Sequence, residues 1–327
     1  MGSTWGTKLR ISVFGESHGK SIGVTVDGLP AGVRIDFDAV RRDLERRAPG
    51  RDSTSTARAE SDEFEVLSGL FNGVTTGAPL TAIAYNADMR SRDYTPSIPR
   101  PGHADLTAYS KYGGYADYRG GGHFSGRLTA PLVYAGALAK QILRERHGCT
   151  IAAHALSIHG ETDPETQRAA ILEAKSRGDS VGGVVECTVE HAPADLGEPM
   201  FHGVESVLSS ILFAIPAVKG VEFGDGFGFA NSLGSEVSDG YAYDSNGVLT
   251  ALANHNGGIN GGIANGNPIV FRVAFKPTPT IALPQQTVNL ETRENVTHSF
   301  VGRHDPCIVL RAIPVVEAAA AIGLLNL

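Results

Sequence analysis

Residues 9–27 read LRISVFGESHGKSIGVTVD, two apolar runs with β-strand character on either side of a polar corner. Alternating apolar residues predict two strands, and the glycines that flank the corner predict a tight turn between them. The corner carries Glu16, Ser17 and His18 in succession. An imidazole titrates near neutral pH and can donate a proton, although a solvated turn has the same composition.

Outward from this hairpin, helical and strand patterns are mixed. Apolar residues at helical spacing predict helices over 38–47, capped by Asp36 or Asp38, and over 125–146, 163–178 and 201–214. Strands are predicted over 64–70, 80–84, 181–190, 218–223 and 269–275, and 311–327 is predicted to open extended and end in a helix. Strict βαβ alternation is lacking, which favours an α+β or layered α/β fold. No segment has the composition of a linker, so we expect one domain over 1–327.

Composition excludes several classes of protein. The formal net charge is −7 with no basic tail, which argues against nucleic-acid binding. No apolar run of membrane-spanning length occurs, and no secretory signal pattern precedes residue 9. The three cysteines, Cys149, Cys187 and Cys307, are too far apart for a zinc site and too few for a disulfide scaffold. We therefore expect a cytoplasmic protein without a bound metal or a membrane partner.

Glycine is over-represented, with 40 residues gathered in short, non-periodic loops. Only 19% of residues are charged. Few surface charges combined with many glycine loops predict extensive buried surface, which self-association would provide.

Two polar islands follow the first hairpin. Five arginines at 41, 42, 46, 47 and 51 crowd one helix and its end, so they face solvent or bind a small phosphorylated or carboxylated ligand. Farther along, His103 follows a Pro-Gly turn and precedes Asp105, a carboxylate that can orient the imidazole or raise its pKa.

Three further islands are rich in glycine or histidine. Residues 117–127, DYRGGGHFSGR, run into a helix start, where free N–H groups suit an anion; no Walker A or dinucleotide spacing is present. Residues 254–262 and 276–280 fit either a turn-rich hairpin or a phosphate site. Residues 302–307, with Arg311 and Glu317 beyond them, combine arginine, histidine and aspartate before an apolar run.

Taken together and in this order, these islands resemble the chorismate synthase family. The matching stretches are 15–19, 67–69, 73–77, 100–105, 111–113, 117–127, 217–220, 254–262, 276–281 and 302–314. The resemblance implies conversion of 5-enolpyruvylshikimate 3-phosphate to chorismate and phosphate, the last step of the shikimate pathway, by an anti 1,4-elimination that needs reduced FMN without net redox change. It implies a β-α-β sandwich with a helical core between antiparallel sheets, usually in a homotetramer.

The resemblance also implies residue roles. His18 corresponds to an acid near the leaving phosphate, His103 to the proton donor at the flavin edge, and Asp305 to the group that acts at flavin N5. Substrate contacts are expected from Ser17, Arg47, Arg51, Arg100, Arg127 and Arg311. Flavin contacts are expected from His123, Phe124, Ser125, Ala217, Gly261, Lys276, Pro277, Thr278, Pro279, Thr280 and Arg303.

The chain departs from the common family pattern at the glycine-rich loop. It reads Gly-Gly-Gly-His-Phe-Ser-Gly-Arg-Leu where Gly-Gly-Gly-Arg-Ser-Ser-Ala-Arg-Glu is usual, so either His123 supplies charge or Phe124 stacks on the flavin. Ser53 stands where a second substrate arginine is common, and Arg51 is its expected substitute. Two alternatives to the lyase are a flavin reductase that oxidises NADPH and a non-catalytic anion-binding module.

Overall fold

The computed structural model describes residues 2–50, 54, 62–87, 95–300, 302 and 305–327. The helices are α1 (Phe37–Arg47), α2 (Asp105–Tyr112), α3 (Thr129–His147), α4 (Pro164–Ser176), α5 (Val204–Leu212) and α6 (Val309–Leu324). The strands are β1 (Thr4–Trp5), β2 (Arg10–Gly15), β3 (Ser21–Asp27), β4 (Glu65–Ser68), β5 (Leu70–Phe71), β6 (Val74–Thr75), β7 (Leu80–Tyr85), β8 (Thr150–Ile158), β9 (Gly183–Glu190), β10 (Val218–Phe223), β11 (Tyr241–Tyr243), β12 (Leu249–Ala251), β13 (Ile259–Asn260), β14 (Ile263–Ala264), β15 (Ile269–Phe275), β16 (Gln285–Asn289) and β17 (Glu294–His298).

Two antiparallel sheets form the outer layers of the fold. The first has the strand order β1-β2-β3-β7-β4, and the second has the order β10-β15-β9-β8. In the first sheet, Ile22, Val24 and Val26 on alternate positions of β3 are fully buried, as expected for a strand with one face on the core. The remaining strands pair into four small two-stranded hairpins.

Helices α3 and α6 lie between the sheets. The first sheet packs on α3 through β2 and β3, the second packs on α6 through β8 and β9, and the two helices pack on each other. A Cβ atom on Gly136 of α3 would overlap Ala318 of α6, so this glycine permits the close crossing. Both helices are buried along most of their length, which makes them the core of a β-α-β sandwich.

A cluster of four charged side chains fixes α1 against this core. Glu317 of α6 is 3% exposed and accepts two hydrogen bonds of 2.7 Å from Arg46. Lys140 of α3 bridges Glu317 and Asp43 at 2.8 Å each. Burial alone would raise the pKa of Glu317, but its bonds with Arg46 and Lys140 lower it. The pairing places the last turn of α1, and with it Arg47, beside the N-terminal end of α6.

The predicted elements agree with the structure in most places. The first hairpin, α1 with Asp36 as its N-cap, α3, α4, β10 and β15 are confirmed, as is the layered α+β class. The extended opening predicted at 311 is wrong: α6 begins at Val309 and includes Pro314 within its first two turns. None of the described helices is long and apolar enough to span a membrane.

Candidate active site

A cavity with a volume of about 970 Å³ lies beside the glycine-rich loop of residues 119–124. Its wall is built from β2, the segment 95–105, the glycine-rich loop, the segment 213–219 and residues 276–280. The polar groups that face it include Arg100, His103 and Lys276. Cavities of this size with a few polar groups are typical of cofactor and small-molecule sites.

A second cavity of about 190 Å³ adjoins the first. Arg47, Arg127 and Arg311 line it together with one carboxylate, that of Asp305, so cations outnumber anions on its wall. Ser125, Gly126, Thr129, Ile215, Pro216, Asp305 and Ile308 line both cavities. Asp305 therefore lies at the boundary, where its carboxylate pairs with Arg311 Nη1 and its backbone oxygen accepts a 2.6 Å bond from Thr278 Oγ1.

His103 is held by Asp105 and Arg100. Its Nδ1 lies 2.6 Å from Asp105 Oδ1, and Arg100 bonds the same carboxylate through Nε at 2.7 Å and Nη2 at 2.8 Å. Burial alone would raise the pKa of Asp105, but the hydrogen bonds from Arg100 and His103 hold it well below its usual range. An ionised Asp105 accepts from Nδ1–H, so Nε2 is the nitrogen left for chemistry at the cavity.

The glycine-rich loop passes directly over both histidines. Gly120, Gly121 and Gly122 all have positive φ, of 60°, 83° and 54°. A Cβ atom on Gly120 would lie 2.6 Å from His18 Cδ2, and one on Gly121 would lie 3.1 Å from His103 Cε1. The two imidazoles thus occupy space that any other residue at 120 or 121 would need for its Cβ atom.

The corner that follows β2 lies beneath this loop. Ser17 and His18 are 0% and 6% exposed, and Ser17 N donates to Gly122 O at 3.0 Å. The sequence predicted that both face the substrate; in the structure neither lines either cavity, because Gly120 covers them. The hydroxyl of Ser17 is buried without a hydrogen-bond partner among the described residues.

The arginines predicted to bind substrate fall into two groups. Arg100 lines the large cavity, while Arg47, Arg127 and Arg311 line the small one. Asp62 lies between Arg47 and Arg127 and pairs with both. Arg51 and Ser53 lie outside the described residues.

The residues expected to contact the flavin are mostly gathered at the large cavity. His123, Phe124, Ser125, Ala217, Lys276, Thr278, Pro279 and Thr280 line it. Pro277 and Gly261 do not: Pro277 is exposed beside Gly182, and Gly261 lies in the β13–β14 turn, which packs on the segment before α5. Arg303 lies outside the described residues.

His123 connects the loop to the N-terminal strands. Its Nδ1 lies 2.8 Å from Gly15 O and its Nε2 lies 2.8 Å from Ser3 Oγ. Both ring nitrogens are engaged within the chain, so His123 fixes the loop on the corner. Phe124 is half exposed, with its ring centroid 6.4 Å from that of Tyr112, and so offers an aromatic face to the cavity.

Two residues of this site were missed by the sequence reasoning. Asp62 pairs with Arg47 and Arg127, and Asn86 bonds Arg127 and the corner. Asn86 comes directly after a strand of alternating apolar residues, and a polar side chain at that place was a usable signal. Asp62 had no comparable signal.

The arrangement joins an anion-binding pocket to a larger cavity with titratable groups at its wall. Three arginines can bind phosphate or carboxylate oxygens. Asp305, on the wall of both cavities, and His103, on the wall of the larger one, can each exchange a proton. The site therefore suits proton transfer on a small, multiply charged anion beside a larger, partly aromatic ligand.

Comparisons with known proteins agree with this description. A family model described as chorismate synthase matches residues 9–327. The chain is 49% identical to the chorismate synthase of Chitinophaga pinensis over 98% of its own length and 95% of that protein's. It is 46% identical to that of Korarchaeum cryptofilum, with the same coverage. A crystal structure of a chorismate synthase superposes with a TM-score of 0.75 at 28% identity, covering 98% of this chain and 92% of that one.

Proposed function

The chain belongs to the chorismate synthase family, and on that premise we propose that its large cavity holds reduced FMN and its small cavity holds the anionic groups of the substrate. The enzyme is a carbon–oxygen lyase. It converts 5-enolpyruvylshikimate 3-phosphate to chorismate and phosphate by a 1,4-elimination, in the shikimate pathway of aromatic amino acid biosynthesis. The family uses reduced flavin.

The large cavity fits a flavin in size and chemistry. A volume of about 970 Å³ accommodates a ligand of that class. Arg100 and Lys276 provide positive charge for its phosphate, Phe124 provides an aromatic face, and Gly121 allows close approach at a wall that a side chain would fill. Reduced FMN bound there supplies electron density to the substrate with no net redox change.

The small cavity fits the substrate's anionic groups. The substrate carries a phosphate and two carboxylates, and Arg47, Arg127 and Arg311 line a space of about 190 Å³. The position of Asp305 on the wall of both cavities is the observation that carries the proposal. A carboxylate there reaches groups in either cavity and can accept the proton that the elimination releases.

The two histidines have separate tasks in this proposal. Because Asp105 accepts the Nδ1 proton of His103, Nε2 is the nitrogen that exchanges a proton at the cavity wall. His18 donates to the departing phosphate. Since Gly120 covers His18 in this conformation, substrate binding has to shift the glycine-rich loop, and three successive glycines, which have no Cβ, allow the backbone to do so.

We extend the proposal to the organisation of the enzyme. Residues 1–327 form one domain, because α3 and α6 are packed on each other and each carries one of the sheets. The protein is a cytoplasmic homotetramer: its three cysteines are buried and unbridged, and exposed apolar side chains such as Phe227, Tyr243 and Leu252 offer surface for self-association.

The assay is phosphate and chorismate release from the substrate with anaerobically reduced FMN. Asp305→Asn should lower kcat by about a hundredfold while the KM for substrate changes little, because its proposed task is proton transfer. Arg311→Ala should raise KM instead. A large rise in KM with unchanged kcat in Asp305→Asn would contradict the proposed role, and NADPH in place of reduced FMN tests for reductase activity.

A further inference from the structure

Asn86, the first residue after β7, makes three side-chain hydrogen bonds while only 8% exposed. Its Nδ2 donates to Glu16 O at 3.0 Å and to Gly19 O at 2.8 Å. Its Oδ1 accepts from Arg127 Nε at 3.3 Å. Two carbonyl acceptors on one side and a guanidinium donor on the other determine which way the amide faces.

The partners of this amide belong to two different parts of the site. Glu16 O and Gly19 O are the two ends of the corner that carries Ser17 and His18, and Gly19 N closes that turn on Glu16 O at 3.0 Å. Arg127 lines the small cavity. One amide group therefore connects the histidine's backbone with a cation of the anion pocket.

The sheet does not require this connection. The register of β7 on β3 is already set by the ladder that pairs Ser21 with Tyr85 and Ile22 with Ala84. The backbone N–H of Asn86 continues that ladder to Lys20 O at 3.2 Å. A side chain that only satisfied the corner's carbonyls would have no reason to face Arg127 as well.

We propose that Asn86 is a positioning residue that fixes the His18 corner relative to Arg127, so that an anion bound by Arg127 lies within reach of the His18 imidazole. This inference rests on the proposed function, in which Arg127 binds a substrate anion and His18 donates a proton to it. Asn86 itself contacts neither substrate nor cofactor; it acts through its two partners.

Two substitutions of Asn86 distinguish the loss of the Nδ2 hydrogen bonds from the introduction of a negative charge. Asn86→Asp keeps the size and the acceptor for Arg127 but replaces the donor with an oxygen that faces two carbonyls. Asn86→Ser adds no charge and is too short to reach both carbonyls. Each should lower kcat by about tenfold to a hundredfold, as expected when buried polar groups lose their partners. Thr81→Val, in the strand that Asn86 follows, removes a 3.1 Å bond from Thr81 of β7 to Thr25 of β3; it is the matched control and should leave kcat unchanged.

A double-mutant cycle with His18→Ala distinguishes positioning from a general effect on the fold. If Asn86 acts through His18, Asn86→Ser should change kcat less than about threefold in the His18→Ala background. Full additivity would overturn the inference, as would loss of folding in both Asn86 variants or a loss of activity confined to Asn86→Asp. Wild-type kcat in His18→Ala alone would instead contradict the proposed function, whatever the Asn86 variants do.

Discussion

Two glycine-rich segments, 119–124 and 254–262, have similar compositions but are used differently. In the first, side chains fill the space left by the missing Cβ atoms at two of the three glycines, His18 and Ser17 against Gly120 and His103 against Gly121, while Asp117 O fills it at Gly122. In the second, backbone fills the space at Gly257, against Gly224 N and Val270 O, and at Gly258, against Pro268 O, while the space at Gly261 is open.

The difference shows what glycine contributes in each place. In the first segment, Gly120 and Gly121 bring main chain against titratable groups at a cavity, so these two glycines shape the chemistry. The second lets neighbouring loops and strands approach each other, so its glycines stabilise the fold. The identity of the atoms that a Cβ would meet, rather than the number of glycines, separates the two cases.

The largest expected effect is that of Gly120→Ala. A Cβ 2.6 Å from His18 Cδ2 has to displace the imidazole or the loop, so kcat should fall by about a hundredfold or more. Gly148→Ala is the control, since Gly148 has a similar φ of 68° with no heavy atom within 4 Å of its Cβ position. Equal kcat values in both variants would mean that backbone strain, and not contact with His18, is what the substitution introduces.

Gly257→Ala tests the other segment. Its Cβ would lie 2.5 Å from Gly224 N and 2.7 Å from Val270 O, neither of which can rotate away. The free energy of unfolding should fall by about 2–4 kcal/mol, while kcat per folded molecule stays unchanged. Urea unfolding monitored together with activity measures both, and a loss of kcat without a loss of stability would remove the distinction between the segments.

Substitution of the carboxylate beside the first segment should lower kcat, whereas substitution of the carboxylate in the second segment should not. Asp105 orients His103 beside the first segment, and Asp239 accepts bonds from His255 N, Asn256 N and Asn256 Nδ2 in the second. Asp105→Asn should lower kcat by about tenfold, because the imidazole loses the group that sets its tautomer. Asp239→Asn should leave kcat unchanged. A loss of about tenfold in the kcat of this variant would contradict the structural role assigned to the second segment.

The pH dependence of stability provides a further test of the role of Asp239 in the second segment. Burial of Asp239 would raise its pKa, but hydrogen bonds from Asn256 and His255 outweigh it and lower the pKa below that of an unfolded aspartate, about 3.9. A lowered folded pKa means that the stabilisation is complete well above pH 4 and is lost as pH falls through and below that value. The difference in unfolding free energy between wild type and Asp239→Asn should therefore be larger at pH 6 than at pH 3.5. A difference in unfolding free energy that grows as the pH falls would contradict the lowered pKa of Asp239.

Much of the framework could be predicted from the sequence because local patterns determine it. The alternation in 9–27 predicts β2 and β3, and the small apolar residues of α3 predict a buried helix. The last segment was predicted to open extended, but it is helical from Val309; packing of α6 between α3 and the second sheet outweighs the backbone hydrogen bond that Pro314 removes.

The site was only partly predictable, because its geometry depends on contacts between distant segments. His103 and Asp105 are two residues apart, and their pairing could be inferred. Three features of the site depend on how β7, α3 and the hairpins pack: Gly120 covers His18, Asp62 pairs with two arginines, and Gly261 lies away from the cavities. No pattern within 120–122 or 257–262 distinguishes a glycine that faces a side chain from one that faces backbone.

The affinity for FMN of Gly121→Ala and Gly261→Ala tests the central claim, that the flavin lies beside the first segment and not the second. Both residues have positive φ, but only Gly121 lines the large cavity, and Gly261 has no heavy atom within 4 Å of its Cβ position. We expect the Kd for reduced FMN, titrated anaerobically, to rise at least about tenfold in Gly121→Ala and to remain at the wild-type value in Gly261→Ala. Weaker binding of reduced FMN by Gly261→Ala, with unchanged binding by Gly121→Ala, would contradict a flavin site beside the first segment.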